Sequence, residues 1–223
     1  MPLSYKETTQ PAAEPITLDQ ARTQLVIASS FTDDDDLISS LIVAARQFVE
    51  QKMNRAIYTR TMKLFLDFFP YPTYGTTVNP NDRHCLFGTF WHELAIRLPK
   101  PGCASVTSIT YVDLTGTTQT LDPSTYYVDV NSEPARIVPQ PGLYWPYSQS
   151  YLPNSVCVTY VAGTYGDGVE VDNCPQTIKQ AMLLLISYWY QHRDAAELNV
   201  TKQIEFSVDA LLAAETFESF RWV

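Results

Sequence analysis

The sequence has no cluster of basic residues anywhere, and its 223 residues carry a net charge of −9. A protein that grips nucleic acid by neutralising phosphates shows the opposite balance. Tight nucleic-acid binding is therefore disfavoured, while an acidic wall past which DNA slides without sticking is compatible with this charge. The four cysteines, Cys85, Cys103, Cys157 and Cys174, form no C-x-x-C pair. A chain of this length has no need of covalent staples, so they are expected to be free thiols of an intracellular protein. A membrane-spanning run is missing too. The best candidate, Ala181 to Tyr190, covers about ten residues, roughly 15 Å of helix and half a bilayer core. The opening MPLSYKETTQPAAEP has no apolar core segment, so it is not expected to act as a signal peptide. No G-x-S-x-G elbow, P-loop or H-E-x-x-H occurs, so no enzyme is expected.

What is present describes a folded chain, with 45% hydrophobic and only 17% charged residues. In ITLDQARTQLVIA, Thr17 and Gln20 have the spacing of a capping box, and Leu18, Ala21 and Leu25 then share a helical face. In the next stretch, Leu37, Leu41, Ala44 and Phe48 form one helical stripe, and Ile38, Ile42, Ala45 and Val49 form a second beside it. Asn54 is a plausible stop. From Ala56 the period becomes two, with Tyr58, Arg60, Met62, Leu64, Leu66 and Phe68 on one side. A loop rich in Pro, Gly, Thr and Asn is expected from Pro70 to Phe90. Further strands are expected at LAIRLP, SVTSITYVD, TQTL, TYYVDV, ARIVP and SVCVTYVAGTY, separated by turn residues.

Helical periodicity returns at Pro175, expected as the first helical residue with Asn173 or Cys174 as cap, and runs to about Arg193 or Asp194. A last short helix is expected to start at a Ser207 cap and to turn Leu211 and Leu212 inward. The fold class is thus α+β: a helical bundle formed by N- and C-terminal helices with an inserted antiparallel β domain of sandwich or barrel type. The expected parts are 1–56 (helical), 57–170 (β-rich insertion) and 171–223 (helical, with a tail).

Within the C-terminal helix, Ile178, Met182, Leu185 and Trp189 line one face, while Leu183, Leu184, Ile186, Tyr188 and Tyr190 occupy most of the others. A helix apolar nearly all round must be covered nearly all round, more than one helical hairpin provides. Other candidate chemistry has simpler explanations. Asp33 to Asp36 complement the dipole of a helix start, and at most two of them can face one ion. His84, Cys85, His92 and Glu93 lack zinc-ligand spacing. His192 suits the partial charge at a helix C-terminus. Gly163, Gly166 and Gly168 spell G-x-x-G-x-G, the wrong order for a dinucleotide loop, and read as a turn. No metal or cofactor is expected.

The segments ITLDQARTQL, DDDDLISSLIVAARQFVEQKMNR, CPQTIKQAMLLLISYWYQHRDA and VDALLAAETFESFRW, in that order, resemble the head–tail connector (adaptor or head-completion) proteins of tailed double-stranded DNA bacteriophages. The resemblance covers the two helical ends, somewhat under half of the chain. It implies a structural virion protein of the neck, assembled in the host cytoplasm as a homo-oligomeric ring, usually dodecameric. Its partners would be the portal protein above and neck or tail proteins below, with DNA passing through the channel without sequence-specific binding and with no membrane involved. The expected interface residues are Trp189 and Tyr190 on the C-terminal helix and Phe217, Phe220, Arg221 and Trp222 in the tail, which either docks on the portal or a neighbour or folds back on its own helices. An alternative reading makes the β insertion a binding module for carbohydrate or a tail component, with Trp91, Tyr144, Trp145 and Tyr147 as exposed platforms.

Overall fold

A computed structural model describes residues 4–71, 94–149, 151–192 and 206–217. The chain divides into two compact units, one of residues 1–10 and 60–162 and one of residues 11–59 and 163–223.

The first unit is built of antiparallel strands. These are β1 (Ser4–Glu7), β2 (Arg60–Leu66), β3 (Ile96–Arg97), β4 (Cys103–Val112), β5 (Thr118–Thr120), β6 (Tyr126–Asp129), β7 (Arg136–Pro139) and β8 (Val156–Ala162). They form a five-stranded sheet in the order β1-β2-β8-β4-β5 and a three-stranded sheet in the order β3-β7-β6. Both orders have two free ends, so the sheets are open and no closed barrel forms among the described residues. The period-two pattern works as expected on β2, whose Arg60, Met62, Leu64 and Leu66 are buried while the residues between them are not. Register places Met62 opposite Tyr160, Leu64 opposite Val158 and Leu66 opposite Val156, which makes one apolar face from two strands. The alternation ends at Leu66, so Phe69 rather than Phe68 enters the core.

Strand β1 went unexpected: Ser4–Glu7, read from sequence with the helical part, pairs along the outer edge of β2. Its four residues are too few to show a periodicity, and none of their side chains is buried. The loop expected from Pro70 to Phe90 falls, beyond Tyr71, outside the described residues.

The second unit contains α1 (Leu18–Leu25), α2 (Asp35–Met53), α3 (Gln176–Gln191) and a helical segment, α4, over 206–212. The capping box on α1 is complete: Thr17 Oγ1 accepts from the Gln20 N–H and the Gln20 side chain accepts from the Thr17 N–H. Helix α2 stops at Asn54, whose φ of 52° is the left-handed turn that asparagine tolerates. Of its two stripes, Ile38, Ile42, Ala45 and Val49 are buried, whereas Leu37, Leu41 and Phe48 are half-buried and Ala44 is exposed. Helix α3 starts one residue later than expected, because Pro175 is itself the cap, extended at ψ 143°. Arg193 and Asp194, its expected end, lie outside the described residues. Helix α4 is already under way at Phe206, so Ser207 is not its cap. Leu212 is buried and Leu211 half-buried.

Ile42, Val49 and Met53 of α2, Ile178, Met182, Leu185 and Ile186 of α3 and Leu212 of α4 belong to one apolar cluster. Each such side chain contributes about 1.5–3 kcal/mol when taken fully out of water. Among the described residues, no helix is long and apolar enough to cross a membrane.

Candidate functional site

Helix α2 carries two charges on its buried side. Arg46 Nε donates to Glu14 Oε2 at 2.8 Å and its Nη1 to Glu50 Oε2 at 3.0 Å, with Arg46 and Glu50 almost fully buried. The second oxygen of Glu50 accepts from the Ile57 N–H at 2.9 Å. The guanidinium thus clamps the segment before α1, and the carboxylate clamps the segment after α2. Burying an ion pair costs desolvation that good geometry offsets, but removing one partner strands the other charge.

Helix α3 is buried on one side and only partly covered on the other. Ile178, Ala181, Met182, Leu185 and Ile186 are buried, whereas Leu183, Leu184, Tyr188, Trp189 and Tyr190 are half-buried. The Trp189 ring meets Phe48 of α2 edge-on at 6.0 Å, and the Tyr190 hydroxyl donates to Asp34 at the α2 N-cap. Both expected interface residues are therefore tethered to α2 and keep part of their surface. Leu184 and Tyr188 are outside the apolar cluster that takes in Leu183, Trp189 and Tyr190. His192 ends the helix as expected. Its N–H donates to the Tyr188 carbonyl at 2.9 Å, and its ring stacks on Tyr188 at 4.5 Å. The Phe217 N–H donates to the Met53 carbonyl at 2.9 Å, so the segment that follows α4 lies against the end of α2. Phe220, Arg221 and Trp222 lie outside the described residues.

The glycine triplet is a packing device. Thr164 and Tyr165 donate to the carbonyls of Ala56 and Ile57, and Thr59 donates to that of Gly166, so 56–59 and 164–166 run side by side. At Gly163 an added Cβ would lie 2.3 Å from Thr59 N, and at Gly168 it would lie 2.5 Å from the Tyr58 ring. Tyr58 in turn donates to Asp172 Oδ1 at 2.7 Å, while Lys179 Nζ donates to Oδ2 at 2.6 Å. Burial pushes the Asp172 carboxyl up, but Lys179, Tyr58 and the Cys174 N–H together hold it below its ordinary value.

Of the other candidate groups, Asp34 and Asp35 hold structural contacts. Asp35 binds the Arg22 guanidinium through both oxygens, and Asp34 accepts from Tyr190. No group of three potential ligands gathers among the described residues. His84, Cys85, His92 and Glu93 lie outside that set, as does Trp91. Cys103, Cys157 and Cys174 are free thiols. Burial pushes Cys103 up to about 11 and Cys174 to about 12, so neither is a thiolate at neutral pH. Of the aromatic platforms, Tyr144 and Tyr147 are each 75% exposed, but Trp145 is 4% exposed. Its indole N–H donates to the Leu94 carbonyl at 2.7 Å and its ring stacks on Phe69 at 5.1 Å. Trp145 anchors the core, and the expectation of a platform there is corrected.

Charge divides unevenly. The helical unit holds 16 acidic and 8 basic residues and the β unit 8 and 7, so −8 and −1 make up the total of −9.

Comparison with known families gives a match over a segment that takes in the α1–α2 hairpin. Residues 15–77 match the phage gp6-like head–tail connector protein family. The whole fold is similar to solved neck and virion structures. One is the neck of an empty gene transfer agent particle computed with C6 symmetry, at TM-score 0.68 and 18% identity over 98% of both chains. A second is the virion of a native gene transfer agent particle, at 0.65 and 18% over 98% of both. A third is the neck of a native particle computed with C12 symmetry, at 0.63 and 19% over 98% of both. No curated protein matches the chain in sequence.

The helices were legible in the sequence, but the buried Glu14–Arg46–Glu50 clamp was missed. Its signal was there: Arg46 and Glu50 are four apart and fall in the register of Ile42, Val49 and Met53.

Proposed function

We propose that this chain is a ring-forming head–tail adaptor in the neck of a tailed phage or phage-like particle. It sits beneath the portal, joins capsid to tail and leaves a channel for DNA. The observation that carries this reading is the connector family match over 15–77, which takes in the α1–α2 hairpin on which α3 packs and runs on through β2. The half-covered side of α3, with Leu184 and Tyr188, then gains its cover from a neighbouring copy around a closed axis. The acidic surplus of the helical unit suits a conduit that must not hold DNA. Six- or twelve-fold symmetry is the arrangement proposed for the ring. Its function is assembly, without catalysis.

The test is to mix the purified chain with the portal complex of the same particle and examine it by negative-stain electron microscopy. An added annulus on the tail-facing side of the portal is expected. A portal that sediments and images unchanged in the presence of excess chain contradicts the reading.

A further inference from the structure

The five-stranded sheet brings together two like charges that no carboxylate among the described residues meets. In the β1–β2 pairing, Lys6 stands directly opposite Lys63. Opposed residues on antiparallel strands point to the same side, with Cβ atoms about 5 Å apart, and like charges there are destabilising. Neither ammonium meets a carboxylate among the described residues, in contrast to Arg60, which binds Glu7, and Arg136, which binds Asp129. Glu7 cannot serve Lys6, because adjacent residues of a strand face opposite sides. On the lysine side of β2, the nearest acid along the strand is Asp67, and its Oδ1 already accepts from the Asn154 N–H at 3.0 Å.

The register continues the row. Lys63 is opposite Thr159 of β8, and Thr159 is opposite Ser108 of β4. Two ammonium groups and two hydroxyls thus line up across four strands, a strip of roughly 15 Å at the usual strand spacing. Lys6 is exposed, and Lys63, Thr159 and Ser108 are half-exposed. All four groups are able to donate hydrogen bonds, and the charge of the strip is cationic only.

We infer that this Lys6–Lys63–Thr159–Ser108 strip docks the acidic helical unit of a second copy of the chain. Charge complementarity chooses the occupant: the helical unit has 16 acidic residues against 8 basic, while the β unit is near neutral. A face of one kind meeting a face of another is the heterologous contact from which rings are built. Two lysines are too few to track a phosphate backbone. The inference rests on the ring reading above and names one of its contacts.

The test mixes isotopically labelled and unlabelled full-length chain, couples amines to carboxylates with a zero-length carbodiimide, and identifies mixed-isotope cross-links by mass spectrometry. Lys6 and Lys63 should couple between copies to carboxylates of residues 11–59 or 163–223. The variant Lys6→Gln/Lys63→Gln should melt no lower than the wild type, since it loses a repulsion, yet self-associate roughly tenfold more weakly by sedimentation. No inter-copy link from either lysine overturns the inference, as does a variant that assembles like the wild type. So does retention of short duplex DNA by the wild type that the variant loses, because the strip would then serve phosphates. Rings that form without these links remove this contact and leave the ring reading standing. Absence of the chain from particle necks removes the ring reading itself.

Discussion

Arg46 and Glu50, one turn apart on the buried side of α2, form an ion pair at 3.0 Å, and each also holds a segment outside the helix. Through Arg46 the chain before α1 is fixed at Glu14, and through Glu50 the chain after α2 is fixed at Ile57. Arg46→Met should therefore cost about 3–5 kcal/mol of unfolding free energy, because Glu50 is left buried without its partner. Urea denaturation measures this, and the double variant Arg46→Met/Glu50→Leu should recover a large part of the loss.

Gly163 should not accept any side chain. Its Cβ would fall on the Thr59 backbone, whereas at Gly116 there is open space and only a φ of 85° to strain. Gly163→Ala is expected to cost about 3 kcal/mol, and Gly116→Ala roughly 1 kcal/mol. Thermal melts of the two variants, made side by side, check the ranking.

Asp113 and Asp172 are among the described carboxylates held below their ordinary value, with Asp122, Asp129 and Asp167, and the stability such groups contribute is lost in acid. The Thr115 hydroxyl, then the Gln119 amide and the Thr117 N–H, hold Asp113 at about 2, below its ordinary 3.8. Asp172 is also depressed, by Lys179 and Tyr58 against burial. A depressed folded-state value means stability that is present above 3.8 and is lost as pH falls towards about 2. Urea midpoints should fall over this window, and Asp172→Asn should flatten the fall.

The aromatic loop of the β unit should separate into two classes. Trp145→Ala removes a stacked, hydrogen-bonded core ring and is expected to cost about 3–5 kcal/mol. Tyr144→Ser/Tyr147→Ser removes two largely exposed rings and one stacking contact, that of Tyr147 on Tyr71 at 5.9 Å, and should shift the melting temperature far less. Calorimetry distinguishes the two.

How much of this was legible in the sequence depended on whether a residue acts locally. Thr17 and Gln20 cap their own helix, and Met62, Leu64 and Leu66 alternate on one strand, so spacing alone located both elements. Strand β1 was not legible, because Ser4–Glu7 owes its conformation to the edge of a strand more than fifty residues away. Trp145 looked like a loop platform because its partners, Phe69 and the Leu94 carbonyl, are remote in sequence. Trp189 and Tyr190 were legible as apolar surface on α3, but their tethers to Phe48 and Asp34 required the packed hairpin.

The most direct measurement is a high-resolution electron-microscopy reconstruction of the assembled neck, with the chain identified in the same particles by mass spectrometry. The account predicts a ring of identical copies below the portal in which Leu184 and Tyr188 of each α3 are covered by the adjacent copy. A neck without this chain, or a ring in which that side of α3 faces solvent, would contradict it.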